Sequence, residues 1–178
     1  MAANQKPQRR SLRLKEFDYS QEGAYFITVC TWNWRCIFGE IMAGEMRLNE
    51  SGKVVEHEWS ETEKVRAQVK LDYYVIMPNH FHGIFFIQNP DRATHRVAPT
   101  GRKPFGPASG SVGAIMGQFK SKATKRINEL WKTSGARVWQ RNYYEHVIRD
   151  DDDLNRIRQY IIDNPARWQE DENYPGIL

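Results

Sequence analysis

Tyr73-Tyr74-Val75-Ile76-Met77-Pro78-Asn79-His80-Phe81-His82-Gly83-Ile84-Phe85-Phe86-Ile87 holds two apolar runs parted by Pro-Asn, the pattern of two antiparallel strands joined by a turn or irregular junction. Strand side chains alternate between faces, so His80 and His82 share one face and Phe81 takes the other. Two neutral imidazoles side by side on a rigid strand near its end can hold a metal ion where substrate reaches it. The pair alone is equally compatible with surface histidines or hydrogen-bonded core histidines.

Working outward from this hairpin, residues 24–32 are rich in β-branched and aromatic side chains, and 36–41 and 45–48 read as shorter partners across turns, so a β-meander is expected. Asn49-Glu50-Ser51-Gly52 supplies capping residues for a helix from about Lys53 into 61–65. Downstream, 89–110 contains four prolines and three glycines among polar residues, a long flexible loop. Ser111 then caps a helix in which Val112, Ile115, Met116, Phe119, Ala123, Ile127 and Leu130 form a stripe at three- and four-residue spacing. Residues 138–148 read as a further strand, and the acidic run 150–153 opens a last helix, where negative charge complements the N-terminal dipole. This order predicts an α+β domain, an antiparallel β-sheet packed with α-helices, over 23–178, preceded by a basic arm over 1–22.

On the last helix, a step of ~100° per residue places Leu154, Tyr160, Ile161 and Asn164 on the side of Ile157, facing the sheet. A buried tyrosine and an amide closing a helix before Pro165 would look the same. A tyrosine oxygen can, however, attack phosphorus when a metal neutralises the phosphate. Two imidazoles and an amide carbonyl make a three-ligand site suited to Mg²⁺ or Mn²⁺. Tyr160 would then be the nucleophile, with His80, His82 and Asn164 as metal ligands.

Lys and Arg outnumber Asp and Glu by 26 to 22 in a chain of 178 residues, for a formal charge of +4. The excess gathers at Arg9, Arg10, Arg13 and Lys15 and at Lys120, Lys122, Lys125 and Arg126, clusters able to meet a phosphate backbone or simply to face solvent. Arg10, Arg13, Lys120, Lys122, Arg141 and Arg149 are the candidate DNA contacts. Trp32 and Trp34 offer aromatic faces for unpaired bases. Tyr143 and Tyr144 have no amide at helical spacing and are not candidate nucleophiles. Cys30 and Cys36 fit no redox or zinc motif, no stretch reads as a membrane span, and a cytoplasmic protein with reduced thiols is expected.

Three blocks in this order, Val75-Ile76-Met77-Pro78-Asn79-His80-Phe81-His82-Gly83, Trp139-Gln140-Arg141-Asn142-Tyr143-Tyr144-Glu145-His146-Val147-Ile148-Arg149 and Tyr160-Ile161-Ile162-Asp163-Asn164-Pro165, resemble the REP-associated tyrosine transposases of the single-tyrosine HUH superfamily. The resemblance implies a ferredoxin-like core. It implies cleavage and rejoining of single-stranded DNA through a covalent 5′-phosphotyrosine on Tyr160, with a divalent metal on His80 and His82. Asn164 stands where many relatives carry Gln. The implied partners are single-stranded DNA hairpins formed by palindromic repeats, met by a nucleoid-associated protein that is a monomer rather than a homodimer. The alternative is a domesticated hairpin-binding protein whose catalysis is weak or lost.

Overall fold

The computed structural model describes residues 18–88 and 107–176. In chain order its elements are β1 (Gly23–Cys30), β2 (Gly39–Met42), β3 (Glu45–Leu48), α1 (Glu50–Val65), β4 (Val69–Met77), β5 (His80–Ile87), α2 (Val112–Trp131), β6 (Tyr144–Ile148) and α3 (Asp151–Asp163). Four strands form one antiparallel sheet in the order β4-β5-β1-β6. The α+β architecture expected from the sequence is the one observed, and the predicted pairing of β4 with β5 holds from Met77↔His80 outward, with a register shift between Leu71 and Tyr74.

Alternation sorts the sheet into two faces. Tyr25, Ile27, Val29, Phe81 and Phe85 pack with Val55 and Trp59 of α1 and with Ile115, Met116, Phe119, Ala123 and Ile127 of α2. Phe26, Ile84 and Ile148 pack on the other side with Ile157 and Ile161 of α3. Each helix starts where a polar side chain accepts an unpaired N–H: Asn49 Oδ1 from Gly52 at 3.0 Å, Ser111 Oγ from Ala114 at 3.3 Å and Asp150 Oδ1 from Asp153 at 2.8 Å. Gly83 fits the side of β5 that meets α1. A Cβ there would lie 2.8 Å from Phe81 Cζ and 2.9 Å from Trp59 Cζ2, too close for a side chain.

Two expectations are corrected. The opening strands are not a meander: β2 and β3 form a two-stranded sheet of their own, while β1 takes β5 and β6 as neighbours. The chain leaves β1 through a 3-10 turn at Trp32–Trp34, with Asn33 and Trp34 at positive φ, and the longer apolar run of β5 supplies a full ladder to β1. The strand expected over 138–148 is regular only over Tyr144–Ile148. Trp139 makes an isolated bridge to Thr31. The carbonyls of Gln140, Arg141 and Asn142 instead turn to the Lys120 ammonium, at 2.7, 3.2 and 3.4 Å. Residues 1–17 of the expected arm and 89–106 of the expected loop lie outside the described residues, while Tyr19 docks on the start of α2 by accepting the Val112 N–H at 3.0 Å. Neither cysteine forms a disulfide among the described residues, and Cys30 Sγ donates to Asn173 Oδ1 at 3.6 Å. No helix among the described residues is long and apolar enough to cross a membrane.

Candidate active site

The period of β5 puts His80 and His82 on the α3 side of the sheet, 0% and 2% exposed, with ring centroids 4.5 Å apart. Burial disfavours the charged imidazole. It pushes His80 down to about 4 against the opposing pull of Asp171, Glu172 and the Asn164 side chain. Burial, with His80 adding to it, holds His82 well below the usual histidine range. Both rings are therefore neutral near neutral pH, and the 3.9 Å approach of His80 Nε2 to Asp171 Oδ2 is not an ion pair.

Hydrogen bonds fix which nitrogen of His80 carries its proton. Asn79 is fully buried, and its Nδ2 donates to the carbonyls of Trp34 at 3.1 Å and Asn173 at 2.8 Å. Its Oδ1, an acceptor only, lies 2.9 Å from His80 Nδ1. His80 Nδ1 must donate, so Nε2 carries a bare lone pair. His82 is held at both nitrogens, Nδ1 at 2.8 Å from Thr28 Oγ1 and Nε2 at 3.2 Å from the Tyr160 hydroxyl. When Thr28 accepts from Nδ1, His82 Nε2 is a second lone pair on the same face.

α3 supplies the rest. Its buried stripe, Ile157 and Ile161, continues to Asn164, 4% exposed, whereas Tyr160 sits at the margin of the stripe with 41% of its surface exposed. Tyr160 packs edge-on against Phe26 and His82, with centroids at 6.2 and 5.2 Å. Beyond α3 the chain turns at Pro165, and Trp168 covers His80 at 5.9 Å. Asp171 is thereby carried inward, 8% exposed, where Asp171 Oδ2 accepts from Asn164 Nδ2 at 3.3 Å and Oδ1 accepts from the Asn173 N–H at 2.6 Å.

The donor set suits a cation. His80 Nε2 and Asn164 Oδ1 are buried with no hydrogen-bond partner among the described residues. Ligand atoms of His80, His82 and Asp171 all lie within 4.8 Å of one another. Lone pairs gathered without a proton between them are costly unless a positive charge joins them. Asp171 was missed in the sequence because its segment has no periodicity; Trp168, an aromatic shortly after the helix terminus, was the available sign that the segment folds back.

The structure brings His80, His82, Tyr160 and Asn164 together. Of the expected DNA contacts, Lys120 and Arg141 lie together on the α2 side of the sheet. Lys120 is occupied by three carbonyls, and burial pushes its ammonium down to about 8 with Cys30 acting the other way. Lys122, Arg141 and Arg149 are exposed. Arg10 and Arg13 lie outside the described residues.

The antiparallel sheet thus carries its paired histidines beneath a helix-borne tyrosine. No family model matches the chain. An uncharacterised protein of Haemophilus influenzae is 39% identical over 172 residues, covering 93% of each chain. A second protein of that organism, assigned to the REP-associated tyrosine transposases, is 25% identical over 157 residues, 84% of this chain and 74% of its own length. The solved structure of a REP-associated tyrosine transposase bound to a REP hairpin shares the fold, with a TM-score of 0.59 and 18% identity over 88% of this chain and 74% of that one. The chain thus belongs to one family with the uncharacterised protein and shares the fold of the REP-associated tyrosine transposase structure.

Proposed function

We propose that this protein cleaves and rejoins single-stranded DNA beside hairpin-forming repeats, with Tyr160 as nucleophile and a divalent metal at His80, His82 and Asn164. The observation that carries this reading is the convergence of unpaired, buried lone pairs of His80 and Asn164 beside the His82 nitrogen that holds the tyrosine hydroxyl at 3.2 Å. The hairpin-bound relative supports the choice of substrate.

A Mg²⁺ or Mn²⁺ ion held there, with Asp171 as a further oxygen donor, would neutralise charge on a scissile phosphate. The chain's own residues do the rest. Tyr160 Oη forms the bond to phosphorus as the bond from phosphorus to the 3′ oxygen breaks. The tyrosine proton leaves to solvent at the exposed margin of α3, and the departing 3′ oxygen takes up a proton as a free hydroxyl. The product is a 5′-phosphotyrosine, whose bond a 3′-hydroxyl attacks in the reverse direction to rejoin strands without ATP. Asn79 and Thr28 hold the two imidazoles in the tautomers that expose Nε2, a role typical of partners that orient metal-binding histidines.

The test incubates wild type, Tyr160→Phe and His80→Ala with labelled hairpins carrying single-stranded flanks, in Mn²⁺ or Mg²⁺ and in EDTA. A denaturant-resistant protein–DNA adduct is expected in wild type with metal and in no other lane. Binding without any adduct overturns the catalytic assignment in favour of a hairpin-binding protein.

A further inference from the structure

On the α2 side of the sheet, away from Tyr160, a groove of about 530 Å³ runs between α2 and the segment leading into β6. Lys120, Lys125, Arg137 and Arg141 line it together with Trp139 and Gln140, and no carboxylate does so among the described residues. Arg137 and Arg141 are exposed, and neither has a carboxylate partner among the described residues. Lys125 approaches Glu129, at 4.0 Å, in an exposed pair of the kind that contributes little. The Arg137 guanidinium lies over the Trp32 ring, 4.7 Å from its centroid, so the planar cation is held in place before any ligand arrives. Trp139 Nε1 and Gln140 Nε2 are buried without a hydrogen-bond partner among the described residues, and so belong to the backing of the wall and not to its surface. Trp139 is 7% exposed. The wall therefore offers cations with no carboxylate beside them among the described residues, the chemistry of a polyanion site.

Its position ties it to the site on the opposite face. Cys30 of β1 pairs with His80 on one side, and its carbonyl accepts the Gln140 N–H at 2.9 Å on the other. The groove wall and the histidine strand thus flank the same end of β1, about two strand spacings or ~10 Å apart. Lys120 staples the wall through its three carbonyl contacts.

We propose that this groove binds the sugar–phosphate backbone of the DNA strand entering or leaving the Tyr160 site, through Lys125, Arg137 and Arg141, with Lys120 as a positioning residue. The proposal rests on the DNA-processing function above. Contacts to phosphate are blind to sequence and release counterions, so they show as salt dependence.

The experiment compares wild type, Lys125→Gln/Arg137→Gln/Arg141→Gln and a control of equal charge loss on α1 and β4, Lys53→Gln/Lys64→Gln/Lys70→Gln. Affinity for a fluorescent hairpin bearing a single-stranded oligo-dT extension is measured in EDTA across a salt series, with circular dichroism to verify the fold. Three phosphate contacts at ~0.7 each lower the slope of log affinity against log salt by about 2. Between 50 and 200 mM salt the groove variant should therefore lose about 20-fold less affinity than wild type, while the control follows wild type. An unchanged slope in a folded groove variant overturns the groove but leaves the nuclease reading intact if wild type forms its adduct. A groove-dependent slope with no adduct leaves the groove standing and overturns the nuclease. If wild type binds no DNA, both fall. Should the groove variant unfold, Arg137→Gln alone decides, with a slope lower by about 0.7 expected and no change refuting.

Discussion

Acidifying the metal-free protein should destabilise it through its two buried histidines, by an amount the site geometry sets. His80 has a folded value of about 4 against 6.5 in the unfolded chain. Between those values the unfolded chain binds a proton that the folded chain refuses. The contribution is therefore complete above about 6.5 and is lost as pH falls toward about 4. At about 1.4 kcal/mol per pH unit the loss through His80 alone comes to about 3 kcal/mol. His82 shifts in the same direction and adds to it. Against a total of roughly 5–15 kcal/mol, that is a large fraction. Urea unfolding followed by far-UV circular dichroism in EDTA, repeated from neutral pH downward, measures the slope. His80→Gln lowers stability at neutral pH, because it disturbs the Asn79 hydrogen bond, but should flatten the slope by about 1.4 kcal/mol per pH unit. A variant whose stability falls with pH as steeply as wild type would show that His80 is not held neutral by burial. The same reasoning fixes a second readout: with both imidazoles already deprotonated, Mn²⁺ binding near neutral pH should release little proton from them, in contrast to sites whose ligands must first lose protons.

Thr28→Val removes the hydroxyl 2.8 Å from His82 Nδ1 and should weaken Mn²⁺ affinity by roughly 10- to 100-fold, with Thr28→Ser restoring most of it; calorimetric titration that shows equal affinity in all three proteins would remove Thr28 from the site. Gly83→Ala forces a Cβ to within 2.8–2.9 Å of the buried Phe81 and Trp59 rings, an overpacking worth roughly 1–3 kcal/mol. At about 2–4 °C per kcal/mol for a chain of this size, the Tm should drop by roughly 2–12 °C in a thermal melt, and an unchanged Tm would show that the rings yield freely.

The parts of this molecule that follow a backbone period were legible in the sequence. The alternation of β5 assigned His80 and His82 to one face. The helical step through Ile157, Tyr160, Ile161 and Asn164 assigned the second half of the candidate site, and the stripe of α2 with its Ser111 cap is observed where it was expected except at Leu130, which turns to solvent near the end of the helix. What escaped was decided by tertiary competition for hydrogen-bonding groups. Residues 138–142 carry strand-like side chains, yet the Lys120 ammonium takes three of their carbonyls, and no propensity in that segment registers a lysine some twenty positions away. The hairpin β2–β3 has ordinary strand residues and is excluded from the main sheet because β5 offers β1 a longer ladder.

Asp171 is the most instructive omission. Glu170, Asp171 and Glu172 are consecutive carboxylates, chemically alike, and only Asp171 is buried. The choice is made by the turn after Pro165 and by Trp168 seating on the His80 ring. It is also made by Asn173, which donates its N–H to Asp171 and offers its carbonyl to Asn79. Asn79 can orient His80 only because Trp34 and Asn173 accept from its amide, so the tautomer of a residue on β5 depends on backbone beyond α3. A His-x-His pair is thus readable as a placement of side chains. Any competence to hold a cation is a property of the closed donor and acceptor network around it, in which the buried atoms left without a partner among the described residues, His80 Nε2 and Asn164 Oδ1, mark the candidate site.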